Sequence, residues 1–225
     1  MRVVVLTGAG ISAESGLSTF RDSGGLWEGH DPMQVATPEA YDDDPGLVLR
    51  FYDARRAALS RVRPNAAHRA LARLEESLGD DLLVVTQNVD DLHERAGSQR
   101  VHHIHGHLRS AWCVACDVRH RWDGALAHRP SCPGCGSASL RPDIVWFGEM
   151  PYGMDVVEKA LWECDLFVSI GTSGLVYPAA AFVHWARGDT LELNLEPSAG
   201  ASDFATSRQG PATDLVPRWV DELLS

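Results

Sequence analysis

Four cysteines stand in two close pairs, Cys113 with Cys116 and Cys132 with Cys135, in the order C-x2-C-x15-C-x2-C. A Cys-x-x-Cys turn presents two thiolates to one point, and two such turns can surround a zinc ion tetrahedrally. Four thiolates close the coordination sphere and leave no position for water, so the expected ion is structural and folds a segment too small to fold alone. Two redox dithiols, or a zinc ribbon that binds nucleic acid, are the other readings of the same residues. Nucleic acid is disfavoured by charge: 20 Lys and Arg against 31 Asp and Glu give a net charge of −11. That field repels a polyanion and favours a cationic partner.

A second chemical signal is Gly8-Ala9-Gly10-Ile11-Ser12-Ala13, directly after the apolar run Arg2–Thr7. In a G-x-G-x-x-A turn the glycines let the backbone approach a pyrophosphate, and the next helix aims its N–H groups at the anion. A ligand-free strand-to-helix turn shows the same pattern. In a hydride-transferring dehydrogenase an acidic residue about 20 positions on closes the second strand and holds the ribose. Here that interval is the polar loop Ser18-Thr19-Phe20-Arg21-Asp22-Ser23-Gly24-Gly25-Leu26-Trp27, which speaks against hydride transfer.

These groups need a frame. Apolar runs at Arg2–Thr7, Leu82–Thr86, Asp143–Phe147, Leu166–Ile170 and Thr190–Leu195 read as strands buried on both faces. They alternate with helical stretches such as Asn65–Leu78, where Ala67, Leu71, Leu74 and Leu78 share a face. The expected fold class is α/β: a Rossmann-like parallel sheet with helices on both faces, plus a small domain made of a helical insert and a zinc-binding module. One catalytic domain is expected over 1–225, with a large part at about 1–23, 65–106 and 143–225. The insert covers about 24–64, with a helix through Gly46–Val62, and the zinc module about 107–142. No stretch reaches the roughly 18 apolar residues of a membrane span and no leader precedes the first strand, so a cytoplasmic protein is expected. Cys164 reads as a buried structural thiol.

Several motifs then converge. GAGISAESGLSTFRDSGGLW from Gly8, TQNVDDLHERAG from Thr86, HIHGHL from His103, the four cysteines, VWFGE from Val145, GTS from Gly171 and NLEP from Asn194 resemble the sirtuin family. Their order and spacing match over essentially the whole chain. The resemblance implies that NAD is consumed as a co-substrate: nicotinamide is cleaved and the acyl group of a modified lysine passes to ADP-ribose, releasing O-acyl-ADP-ribose and free lysine. By the same resemblance Gly8, Ala9 and Gly10, with Phe20, Arg21 and Trp27, hold the diphosphate and nicotinamide ribose. Gln87, Asn88, Val89 and Asp90 line the ribose and nicotinamide pocket. Gly171, Thr172, Ser173, Asn194, Leu195 and Glu196 contact the adenosine half, and Ala212 the adenine.

His105 aligns with the family's general base, with Asn88 as the second catalytic residue. The acyl oxygen attacks the anomeric carbon, and His105 accepts a proton from the ribose hydroxyl system of the resulting alkylimidate. Val145, Trp146, Phe147 and Gly148 resemble the segment that pairs with an extended substrate peptide. The implied partners are acyl-lysine proteins or peptides, without nucleic acid or membrane, and the chain is expected to be a monomer. His107 departs from the family's usual Glu or Ser and could move the catalytic pKa. Ser18 stands where many relatives have Pro, which loosens the unbound loop.

Tyr52 and Arg55 lie three apart and share a helical face. A phenol and a guanidinium together recognise a carboxylate at the end of an acyl chain. On an arbitrary helix the pair is a half-buried Tyr beside a solvated Arg. At this place it resembles the Tyr-x-x-Arg pair of class III sirtuins, which remove succinyl, malonyl and glutaryl groups, so a bacterial-type desuccinylase and demalonylase that retains deacetylation is expected. The alternatives are NAD-dependent ADP-ribosyl transfer to a protein, which needs no acyl pocket, and a non-enzymatic zinc-ribbon reader of acyl-lysine, which needs neither the glycine turn nor His105.

Overall fold

The computed structural model describes residues 1–19, 27 and 29–225. The chain runs β1 (Val3–Thr7), α1 (Gly10–Ala13), α2 (Pro32–Val35), α3 (Pro38–Asp43), α4 (Pro45–Ala58), α5 (Ala66–Leu78), β2 (Leu82–Thr86), α6 (Leu92–Ala96) and β3 (Val101–His103). It continues through β4 (Gly106–Cys113), β5 (Arg119–Arg121), β6 (Leu140–Ile144), α7 (Met154–Glu163), β7 (Leu166–Ile170), α8 (Phe182–Trp185), β8 (Asp189–Asn194), β9 (Thr206–Gln209) and α9 (Ala212–Leu224).

Every residue of β1 is buried because the strand is apolar on both of its alternating faces. Val3 and Val5 join Leu71 and Leu74 of α5 and Val216, Trp219 and Val220 of α9 in one layer. Val4 and Leu6 join Val157 and Leu161 of α7 and Phe182 of α8 in the other. The result is a six-stranded parallel sheet in the order β3-β2-β1-β7-β8-β9 with helices on both faces. Successive strands leave β1 in opposite directions, so a crevice opens at the carboxyl ends of β1 and β7, the place where such sheets bind ligands.

The second sheet is small and antiparallel, in the order β5-β4-β6. Helices α2, α3 and α4 pack against it. Each begins on a side-chain cap followed by proline at its first position: Asp31 Oδ1 accepts from Met33 N, Thr37 Oγ1 from Ala40 N and Asp44 Oδ1 from Leu47 N.

Three details differ from the sequence expectation. The run Asp143–Phe147 is not a strand of the parallel sheet: the strand is Leu140–Ile144, paired antiparallel with β4, and the chain leaves the ladder at Val145. Its burial comes from the small sheet and α4 rather than from a two-sided sheet, a distinction that an apolar run does not encode. β3 and β9, three and four residues long and without fully buried side chains, carry too little periodicity to be read from sequence. The helix expected over Gly46–Val62 runs from Pro45 to Ala58 and tightens into a 3₁₀ turn over Leu59–Arg61. Among the described residues no helix is long and apolar enough to cross a membrane.

Candidate active site

The carboxyl ends of β1, β7 and β8 bring together Gly8, Ala9 and Gly10, then Gly171, Thr172 and Ser173, then Asn194, Leu195 and Glu196, with Ala212 opening α9. Gly10 N donates to Gly171 O at 2.9 Å. Asn194 Nδ2 donates to Thr172 O at 2.7 Å. A Cβ on Gly8 would stand 2.7 Å from Gly171 O, and one on Gly10 2.7 Å from Gly171 Cα. The glycines therefore have a reason that precedes any ligand: they let two strand-end turns touch. Helix α1 is a single turn, and the amides of Gly8, Gly10, Ile11 and Ser12 all bond within the chain. The extended anion-facing helix implied by the motif is thus one turn of backbone whose dipole is small. Phe20 and Arg21 lie outside the described residues. Trp27 bridges His30 through both of its backbone groups and sets its ring edge against Phe51.

Beneath the glycine turn lies a polar floor. Asn88 Nδ2 donates to Gly8 O at 3.1 Å and to Ser12 Oγ at 3.3 Å, and Ser12 Oγ donates to Asp90 Oδ2 at 3.0 Å. His68 Nε2 lies 3.4 Å from Ser12 Oγ, and His93 Nε2 lies 3.0 Å from Thr7 Oγ1, which donates to Thr86 Oγ1 at 2.8 Å. Burial pushes the Asp90 carboxyl up, opposed by the Leu92 amide and the Ser12 hydroxyl. It drives His68 down to about 4, helped by Arg69, and His93 well below the histidine range. Ser12, His68 and His93 were not among the expected site residues. One signal was available: His68 interrupts the apolar stripe of α5 and follows Asn65 by three, where it closes a capping box.

His105 leaves the end of β3 two residues on, where Ile104 N donates to Thr86 O at 3.0 Å. Its Nδ1 lies 3.2 Å from Gln87 O. A neutral ring that donates Nδ1–H to this carbonyl keeps a lone pair on Nε2, the form that accepts a proton. Burial lowers the pKa and the Gln87 bond partly restores it. His107 faces elsewhere. Its Nδ1 accepts from Arg109 N at 2.9 Å and its ring meets His103 edge-on with centroids 4.8 Å apart. His103 in turn bonds Asn88 O at 2.9 Å through Nδ1 and Glu94 Oε1 at 2.7 Å through Nε2. Burial works against protonation of His103, but the Glu94 bond and charge outweigh it and its pKa rises.

In α4, Tyr52 is completely buried. Trp146 Nε1 donates to its hydroxyl at 3.1 Å. Burial raises the phenol to about 12 against the opposing charge of Arg55. The Arg55 guanidinium lies 3.9 Å over the Trp27 ring. So Tyr52 is not the half-buried residue of an ordinary helix. In the segment Val145 to Gly148, Val145 N donates to His105 O, Trp146 N to Glu149 Oε2 and Phe147 N to Ala36 O. These three amides are engaged within the chain, and Gly148 turns with a positive φ of 91°.

The four cysteine sulfurs converge, all lying within 4.8 Å of one another. Cys113 Sγ stands 3.7 Å from Cys135 Sγ, and Cys116 Sγ 3.8 Å from Cys132 Sγ. A tetrahedron with zinc–sulfur distances near 2.3 Å has edges of about 3.8 Å, so donor set and spacing both fit zinc. Cys164 is buried and its thiol donates to Leu161 O at 3.2 Å.

The comparisons with known proteins agree with this geometry. The model of the Sir2 family matches residues 8–178. The NAD-dependent protein deacylase of Pasteurella multocida (strain Pm70) is 54% identical over 230 residues, covering 100% of this chain and 98% of that protein. The NAD-dependent protein deacylase of Escherichia coli (strain K12) is 53% identical over 229 residues, covering 99% of this chain and 82% of that protein. A Sir2 homologue crystallised with NAD superposes with a TM-score of 0.89 at 39% identity, covering 100% of this chain and 91% of that one. A core of two helix-covered sheet faces, a glycine-paired crevice at the strand ends and a four-thiolate module thus occur together with similarity over nearly the whole chain, and the chain belongs to the Sir2 family.

Proposed function

We propose that this chain is an NAD-dependent protein-lysine deacylase that favours acyl groups ending in a carboxylate, succinyl and malonyl, and retains activity on acetyl-lysine. The carrying observation is that His105 turns Nδ1 to the Gln87 carbonyl, which keeps Nε2 available as a base, while Tyr52 is fully buried with the Arg55 charge acting on its hydroxyl. A pure ADP-ribosyl transferase would need no acyl pocket, and a reader of acyl-lysine would need neither the glycine turn nor His105.

In this reading NAD lies across the crevice with its diphosphate at Gly8, Ala9 and Gly10 beside Phe20, Arg21 and Trp27. Its adenosine rests on Gly171, Thr172, Ser173, Asn194, Leu195 and Glu196, with Ala212 at the adenine. Gln87, Asn88, Val89 and Asp90 take the nicotinamide ribose. The chain's own work is to orient and to move one proton. The Gln87 carbonyl fixes the His105 tautomer, and a depressed pKa keeps the ring neutral and able to accept the ribose hydroxyl proton at neutral pH. Asn88, tied to Gly8 O and Ser12, holds the sugar side of the pocket. The substrate peptide lies along Val145, Trp146, Phe147 and Gly148, and Tyr52 and Arg55 receive the distal carboxylate. Zinc on Cys113, Cys116, Cys132 and Cys135 supplies folding energy and no chemistry. One catalytic domain, acting as a cytoplasmic monomer, completes the reading; its large part is about 1–23, 65–106 and 143–225, and its small part about 24–64 and 107–142.

The test is release of nicotinamide from NAD with succinyl- and acetyl-lysine forms of one peptide. Arg55→Met should lower the ratio of succinyl to acetyl kcat/KM by about 10- to 100-fold, the value of a charge-assisted bond of roughly 1.5–3 kcal/mol. Equal loss on both peptides overturns the carboxylate pocket.

A further inference from the structure

We propose that Trp146 is a positioning residue for acyl selectivity: its indole N–H occupies the acceptor side of the Tyr52 hydroxyl, so the phenolic proton is left to point at the acyl carboxylate. The proposal rests on the carboxylate-pocket reading above. An indole N–H can only donate, whereas a phenol both donates and accepts. With Trp146 Nε1 3.1 Å away the Tyr52 oxygen is already accepting, and no acceptor for its proton is present among the described residues. A fully buried hydroxyl in that state is a donor awaiting an anion.

The indole is itself held rigidly. The Arg141 guanidinium carbon lies 3.5 Å over its ring centroid, and Tyr41 packs against it with centroids 5.2 Å apart. Arg141 Nη1 and Nη2 grip the Glu149 carboxylate at 2.8 and 2.9 Å, and Nη2 also donates to Ile144 O at 2.9 Å. Glu149 Oε2 accepts from the Trp146 amide at 2.8 Å. The ring is 2% exposed, so its role toward substrate passes through Tyr52 rather than through direct contact. Trp146→Phe would keep an aromatic ring at this place, remove the N–H and leave the phenol free to rotate its proton away.

The experiment measures kcat and KM for succinyl- and acetyl-lysine forms of one peptide in four full-length proteins: the unchanged chain, Trp146→Phe, Tyr52→Phe and the double variant. A fifth carries 3-benzothienylalanine at 146, which keeps the bicyclic shape without the N–H and covers the case in which Trp146→Phe folds poorly. Loss of the N–H should lower the succinyl-to-acetyl kcat/KM ratio about tenfold, chiefly through the succinyl KM, and in the Tyr52→Phe background the further change should stay within about twofold. An unchanged ratio, or the same fall with and without the Tyr52 hydroxyl, overturns the proposal. A Tyr52→Phe variant that keeps the full ratio instead overturns the pocket itself, which separates the two failures.

Discussion

Around Thr7 and Thr86 the large sheet offers apolar side chains to helices on both faces, and the polar groups of the crevice sit on that support. Around Cys113 and Cys132 the support is thin. β5 has three residues, two of them exposed, and the apolar cluster is Leu49, Ala111, Leu126 and Leu140 with the cysteines themselves. In the first region a large core fixes backbone ends, and hydrogen bonds then fix side chains. In the second, ligation must do what burial cannot. Removing a group should therefore have opposite consequences: lost chemistry on an intact frame in the crevice, lost frame in the module.

Zinc removal is the strongest probe of this contrast. Structural zinc in small modules is worth about 10–16 kcal/mol of apparent binding energy at neutral pH. Chelation, or Cys132→Ser, should release one zinc per chain and abolish hydrogen-exchange protection in β4, β5 and β6 while β1, β2 and β7 stay protected. Persistent protection of β4 without metal would show that the Leu49 cluster suffices and would break the comparison. The crevice counterpart is His105→Ala. Loss of a general base costs about 10²–10⁴ in kcat, and NAD binding, followed by quenching of tryptophan fluorescence, should persist. Turnover near that of the unchanged chain would remove His105 from the proton path.

The same contrast decides what could be read from sequence. The cysteine module is legible because ligand spacing is written along the chain: Cys113 to Cys135 state their geometry without help from the fold. The strands β1, β2 and β7 are legible because two-sided burial leaves unbroken apolar runs. Residues that act through tertiary neighbours were not legible. Ser12 meets His68 across 56 residues of sequence, and His93 meets Thr7 across 86. The Trp146 indole reaches Tyr52 across 94 residues. The place of β6 is not legible, because an apolar run records burial without naming the sheet that provides it. The glycine pattern is compatible with a ligand cradle or a bare turn, and the contacts of Gly8 and Gly10 with Gly171 depend on the parallel register of β1 and β7, which the motif does not encode.

The smallest effect concerns the cost of the polar floor. His68 is pushed to about 4 by burial, so the folded chain holds it neutral through a range in which the unfolded chain, with an ordinary value near 6.5, takes up a proton. The sign follows from proton binding: below about 6.5 the unfolded state binds more protons, so stability rises with pH. The contribution is therefore complete above about 6.5 and is lost as pH falls toward 4, roughly 2 kcal/mol of it by pH 5 and about 3 kcal/mol in all. His93, depressed in the same direction, adds to the loss. Asp90, whose pKa is raised, acts in the opposite sense, because its burial is less costly once it is protonated. For a chain of this length, about 2 kcal/mol corresponds to a fall in Tm of about 4–8 °C between pH 7 and pH 5. Replacing His68 with Asn removes the titrating ring, so the difference in Tm between the two pH values should shrink even if the variant is less stable at both. An unchanged pH slope in His68→Asn would mean that the floor does not exclude the proton. Preorganisation of the crevice would then rest on the packing of Gly8 and Gly10 against Gly171 rather than on a dry polar network.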